Sequence, residues 1–142
     1  MFSRKPISLL TTYLIPTIFE REKLKLLSLI MINYNDKKFS PVSNTANGET
    51  STETVFHYKQ RANILTSTYS GGKIVYGQLI GLVDEAGNID MRYHQVNTEG
   101  ELMTGICTSH PELMANGKIR LHETWQWTSG DLSKGESIIE EL

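Results

Sequence analysis

The chain has 142 residues, enough for one domain around one core. Charged side chains make up 21% and the net charge is −2, which excludes the basic field that nucleic-acid binders carry. One cysteine, Cys107, excludes an intrachain disulfide and a cysteine-rich metal knuckle, and fits a reducing, cytoplasmic setting.

Residues 1–30 differ from everything after them. They carry five basic against two acidic side chains, whereas residues 31–142 carry nine against fourteen. The run from Ile7 to Phe19 is apolar, with Pro16 inside it. A signal peptide needs a small-residue cleavage site after such a run, and FEREKLK follows instead. A membrane span needs roughly 20 uninterrupted apolar residues, and Pro16 and the EREK cluster break this one. Glu20 to Met31 has leucines at helical spacing and predicts a short amphipathic helix. At Met31 the composition changes. Residues 1–30 therefore read as an extension, helical or disordered, and residues 31–142 as a single domain that should fold without it.

From Lys38 onward apolar residues recur with period two, and turn signals arrive every eight to twelve residues. The predicted strands are Lys38–Val42, Thr54–Gln60, Ile64–Ser70, Lys73–Asp84, Asn88–Asn97, Leu102–His110, Lys118–Thr128 and Glu136–Glu141. Most breaks are tight: Ala62-Asn63, Gly71-Gly72, Ala86-Gly87 and Glu99-Gly100. Pro111–Gly117 and Ser129–Gly135 leave room for longer loops. Short hairpins make neighbouring strands antiparallel and adjacent. The expected fold is all-β: an up-and-down meander closed into a barrel, which removes exposed edges.

Taking every tight break as a two-residue turn sets the register. Directly opposed residues share a side of the sheet. One face then collects Phe56, Tyr58, Leu65, Tyr69, Ile74, Tyr76, Ile80, Leu82, Ile89, Met91, Tyr93, Leu102 and Ile106, with Ile119, Leu121, Glu123, Trp125 and Trp127 in matching parity. This is the expected inside. Gln60, Leu65, Gln78, Gln95 and Thr104 form one inner row, beside Tyr58, Ser67, Tyr76, Asn97 and Leu102. Inward amides and a carboxylate each cost roughly 1–3 kcal/mol if left unpaired. Two readings stand: the polar band lies at the barrel mouth in water, or it faces a cavity that takes a polar ligand group.

Other chemistry weighs less. His57, His94, His110 and His122 show no close ligand spacing among themselves or with Cys107, so no metal site is expected. The register puts Cys107 outside, opposite Arg92, as a packing residue or an activated thiol. Glu123 beside Tyr93 or Tyr76 is the one acid–base candidate, because burial among aromatics raises a carboxyl pKa. Trp125 and Trp127 serve as core or as a stacking platform.

The segments GGKI, GQLIGLVDE, MRYHQVN, GELMTGIC, NGKIRLHE and WQWTSGD lie within Tyr69–Leu142. With them this stretch resembles a family of small bacterial proteins often labelled n-acetylglutamate synthase, and the likeness extends back to Met31. The label implies an acetyl-CoA-dependent N-acetyltransferase; it brings no assigned catalytic residues. The common acetyltransferase fold holds the CoA pyrophosphate on Gln/Arg-x-x-Gly-x-Gly/Ala at a helix N-terminus. Here Gln78-Leu79-Ile80-Gly81-Leu82-Val83 ends in valine and the strand pattern continues. The strand pattern is also similar to calycin-type barrels such as the lipocalins, the fatty-acid-binding proteins and avidin, a likeness of fold.

The reading that follows is a small soluble barrel, with no nucleic-acid or membrane partner for the barrel domain, that binds a small, partly apolar ligand. Tyr58, Gln60, Tyr76, Gln78, Tyr93, Gln95, Thr104, Glu123 and Trp125 are the expected ligand-binding residues. No cofactor is expected. The alternatives are the acetyltransferase, with acetyl-CoA, or an acid–base enzyme using Glu123, and a solidly packed interaction module. A cavity of roughly several hundred Å³ reaching Gln78 and Glu123 would favour the binder.

Overall fold

The computed structural model describes residues 15–23 and 32–142. The chain divides into two units, Met1–Ile30 and Met31–Leu142. In the first, a short helix (α1) spans residues 18–23. Thr17 and Glu20 form its capping box: the Thr17 N–H donates to Glu20 Oε2 at 2.9 Å and the Glu20 N–H to Thr17 Oγ1 at 3.2 Å. The expected helix over Glu20–Met31 lies beyond residue 23 outside the described residues. Among the described residues no helix is long and apolar enough to cross a membrane.

The second unit is all-β. Its strands are β1 Lys37–Asn44, β2 Val55–Arg61, β3 Ile64–Gly71, β4 Ile74–Val83, β5 Ile89–Asn97, β6 Leu102–Leu113, β7 Ile119–Trp127 and β8 Lys134–Glu141. Each pairs antiparallel with the next, and β1 pairs with β8 to close the barrel. Closure leaves no edge for another chain to add to. On β3 burial alternates strictly from Leu65 to Tyr69, as a half-buried pleated surface requires. Strand β6 runs past its expected end to include Pro111, which pairs with Leu121. Pairing with β5 has already stopped at Ser109, so the missing N–H of Pro111 falls where only one side of the strand is paired.

The register departs from expectation on two strands. Ala62-Asn63 is a two-residue turn, and Gln60 opposes Leu65 and Phe56 opposes Tyr69 as predicted. The hairpins after Val83 and Asn97 are wider. The Asp84 N–H bonds to Asn88 O, and the Asn97 N–H to Glu101 O, so each loop holds three residues. Gly87 (φ 84°) and Gly100 (φ 77°) supply the left-handed residue that such a loop needs. Irregularities near Gly71 and between Ile74 and Tyr76 move β4 three residues along β3, so that Tyr69 opposes Gly77 where Ile74 was expected; an odd displacement inverts facing just as a slip of one does. A one-residue slip turns every side chain over. On β4 the inner residues are therefore Gly77, Leu79, Gly81 and Val83, while Tyr76, Ile80 and Leu82 are exposed. On β6 the inner residues are Met103, Gly105, Cys107 and Ser109, while Leu102 and Ile106 face out. On β5 the two slips cancel, and Ile89, Met91, Tyr93, Gln95 and Asn97 point inward as expected.

The meander gives the barrel two unlike ends. The end carrying the β2–β3, β4–β5 and β6–β7 turns is filled. Tyr34, just before β1, is fully buried there; its hydroxyl donates to Gly87 O and its N–H to Gln60 Oε1. Phe39, Leu65, Ile89, Ile119, Leu121 and Ile139 complete the packing. The opposite end carries the β1–β2 loop, residues 45–54, and the other three connections.

Candidate functional site

Three aromatic rings on the inner wall each lie over a glycine of the paired strand. Tyr69 opposes Gly77, Tyr93 opposes Gly105 and Trp125 opposes Gly135. A Cβ on any of these glycines would sit within 2.2–2.3 Å of the ring, so a larger residue there would push the ring off the wall. The missing side chains let the rings lie against the wall instead of crossing the interior. Phe56 stacks on Tyr69 with centroids 4.5 Å apart, and Trp127 meets Trp125 and Tyr93 edge-on at 5.6 and 5.7 Å. Leu79 and Met91 add the aliphatic part of the lining.

Polar groups stand at both ends of this apolar sleeve. At mid-depth, Glu123 Oε2 accepts from Ser109 Oγ at 2.9 Å and Oε1 from Ser137 Oγ at 3.0 Å. Burial holds the Glu123 carboxyl above its ordinary range, and the serine hydroxyls only partly offset this. Toward the mouth, Gln95 Nε2 donates to Glu49 Oε1 at 2.9 Å and Asn97 Nδ2 to Glu49 Oε2 at 2.7 Å. Among the described residues two buried side-chain atoms have no hydrogen-bond partner, Asn44 Oδ1 and Tyr58 Oη. Asn44 lines the cavity, whereas Tyr58 packs against Phe39 and Tyr34 of the filled end. The cavity between these groups is narrow, about 50 Å³, room for a few waters.

Four of the nine expected ligand-binding residues, Tyr93, Gln95, Glu123 and Trp125, line this cavity. Tyr58 is fully buried on the same wall. Gln60 sits at the filled end, spent on the Tyr34 N–H and on Ala62 O. Tyr76, Gln78 and Thr104 are corrections: the shifted register of β4 and β6 puts them outside. There the Gln78 amide bonds the Tyr76 hydroxyl at 2.9 Å, and Thr104 bonds Thr128 at 2.7 Å. The cavity thus reaches Glu123 but not Gln78, and it is smaller than expected.

Cys107 is also corrected. It faces inward between Met91 and Trp125, not outward toward Arg92. Burial, then the nearby Glu123, push its thiol well up, which makes it a packing group and not a thiolate. His57, His94, His110 and His122 are exposed, and among the described residues no group of three His, Cys, Asp or Glu is placed to hold a metal ion. Gln78 and Gly81 lie inside β4, which turns directly into β5. No helix N-terminus follows them to receive a pyrophosphate.

Sequence reasoning missed Glu49, Asn44, Ser109 and Ser137. The serines sit on strands whose parity turned over or was not followed, and the 45–54 loop has no periodicity to read.

Comparison with known proteins gives one positive result: the profile described as avidin-like protein matches residues 32–142. No curated protein and no solved structure matches.

Proposed function

Because the chain belongs to the avidin-like protein family, we propose that its barrel binds a small, partly apolar ligand at the open end. One observation carries this reading. An apolar sleeve of rings and Leu79 connects two sets of convergent polar groups, and Asn44 Oδ1, at its edge, is buried without a partner. A packed core avoids such an arrangement, because each unpaired buried acceptor costs about 1–3 kcal/mol; a pocket uses it to orient a ligand. Glu123, whose carboxyl burial holds above its ordinary range, would meet a polar group at the inner end of the ligand. Trp125 and Trp127 would clasp its body.

The test is native mass spectrometry of protein from its own host, combined with titration of the Trp125/Trp127 fluorescence. Avidin itself binds biotin, so biotin belongs in the first panel of small molecules. A co-purifying small molecule, or saturable quenching lost in Trp125→Ala, supports the proposal.

The narrowness of the cavity favours one second reading, a filled barrel that acts through its surface. The outer face of β2–β6 forms a saddle that includes Thr66, Gln78, Ile80, Arg92 and His94. Absence of any bound molecule and of any quenching would favour it.

A further inference from the structure

Two histidines far apart in the chain stand side by side on the outer wall of the barrel. His110 on β6 pairs directly with His122 on β7. Both are exposed, as the outward parity of the two strands requires. Directly opposed residues hold their Cβ atoms about 4.5–5.5 Å apart, close enough for one ion to meet both imidazoles. No spacing within a single strand signals this pair; the pairing of β6 with β7 creates it. Both rings border one hollow, shared with Thr124, Glu136 and Ile138, and no lysine or arginine lines it.

Each ring has one nitrogen held and the other left over. His110 Nδ1 lies 2.9 Å from Asn88 Oδ1. The Asn88 amide is fixed by its own Nδ2, which donates to Asp84 Oδ2 at 3.0 Å. Its oxygen therefore faces the ring, and His110 Nδ1 carries the hydrogen. His110 Nε2 keeps its lone pair. His122 Nε2 lies 2.7 Å from Glu112 Oε1. An ionised carboxylate only accepts, so this Nε2 carries the hydrogen and His122 Nδ1 keeps its lone pair. Metal-binding histidines are oriented in this way, with the second ring N–H donated to a carboxylate or another oxygen. Arg120, the cation that reaches Glu112 at 3.7 Å, is itself engaged by Glu140 at 2.6 Å.

We propose that His110 and His122 form a two-histidine site on the outer wall for a late divalent transition-metal ion, Cu(II) before Ni(II) and Zn(II), with water completing the coordination. Imidazole suits these ions, and their order of affinity at a nitrogen site puts copper first. Among the described residues no third His, Cys, Asp or Glu is placed to join the pair, so the site is an open chelate and not a closed cage. Glu112 and Asn88 act as positioning residues. The ion bridges β6 to β7 just past Ser109, where pairing with β5 has ended and β6 is held on one side only. The site lies on the face opposite the cavity and does not depend on the ligand-binding reading.

The experiment titrates copper(II) and nickel(II) chloride into the untagged full-length chain, read by calorimetry, thermal melting and electron paramagnetic resonance of the copper adduct. One equivalent of copper should bind, raise the melting temperature and show two coordinated imidazole nitrogens; nickel should bind more weakly. His110→Ala and His122→Ala should each weaken copper about a hundredfold, because the second imidazole no longer adds within the same molecule. Glutamine replaces any alanine that prevents folding. Glu112→Ala should weaken copper about 10–100-fold, and Glu112→Gln, which keeps an acceptor oxygen, much less. His57→Ala and His94→Ala, on other strands, should bind as wild type does. Equal copper affinity of wild type and the His110→Ala/His122→Ala double variant overturns the site, as does a copper spectrum with a single nitrogen. A loss in His94→Ala as large as that in His110→Ala overturns it too. An unchanged affinity in Glu112→Ala overturns the positioning role and leaves the pair standing.

Discussion

At the filled end of the barrel Tyr34, Phe39, Leu121 and Ile139 are 0–1% exposed. At the open end, rings of similar bulk rest over glycines, and amides and carboxylates take up the room that remains. The same eight strands supply both ends. The filled end buries hydrocarbon and stabilises the fold. The open end accepts an unpaired amide oxygen, Asn44 Oδ1, above the desolvated carboxyl of Glu123, a cost that a ligand can offset.

That contrast can be broken in several ways. Leu121→Ala should cost about 2–5 kcal/mol, measured by chemical denaturation, because the filled end cannot collapse around a void. Gly105→Ala should cost about 1–3 kcal/mol by driving the Tyr93 ring off the wall, and should weaken any ligand that quenches Trp127; a variant as stable as wild type would show that the rings are not held by the glycines.

Glu123→Gln tests the boundary between the two ends. A carboxyl whose pKa is raised by folding contributes stability that is present below its unfolded pKa and lost as pH rises through its folded one. The variant should therefore gain on wild type as pH increases from the ordinary carboxylate range upward, read as the difference between their melting temperatures. Taking the difference removes groups such as Asp84, held below its usual range by Asn88. A difference that does not vary with pH would place Glu123 in water. The smallest effect is expected outside the wall: Ile80→Thr, at a position 57% exposed, should alter stability by no more than about 0.5 kcal/mol. A larger loss would mean that the outer face of β4 is covered.

How far the site could be read depends on the strand. On β2, β3, β5 and β7 one face is apolar or aromatic and the other polar, so Tyr58, Tyr93, Gln95, Glu123 and Trp125 fall inside on pattern alone. On β4, Val75, Leu79 and Val83 compete with Tyr76, Ile80 and Leu82, and on β6, Met103 and Cys107 compete with Leu102 and Ile106. Both parities are apolar there, so only the loop lengths decide. A third residue in each of two hairpins and the β4 irregularities were enough to put Gln78 and Thr104 on the wrong side.

The sequence by itself determined the number and order of the strands, the antiparallel meander and its closure, because turn chemistry and period-two alternation are local properties that each segment carries alone. Only the tertiary structure decided which face of β4 and β6 looks inward, that rings nest on glycines of the neighbouring strand, and that Glu49 reaches back to Gln95 and Asn97. These contacts join residues up to 48 positions apart. They depend on register and bulges summed over several strands, and a single added residue reverses them.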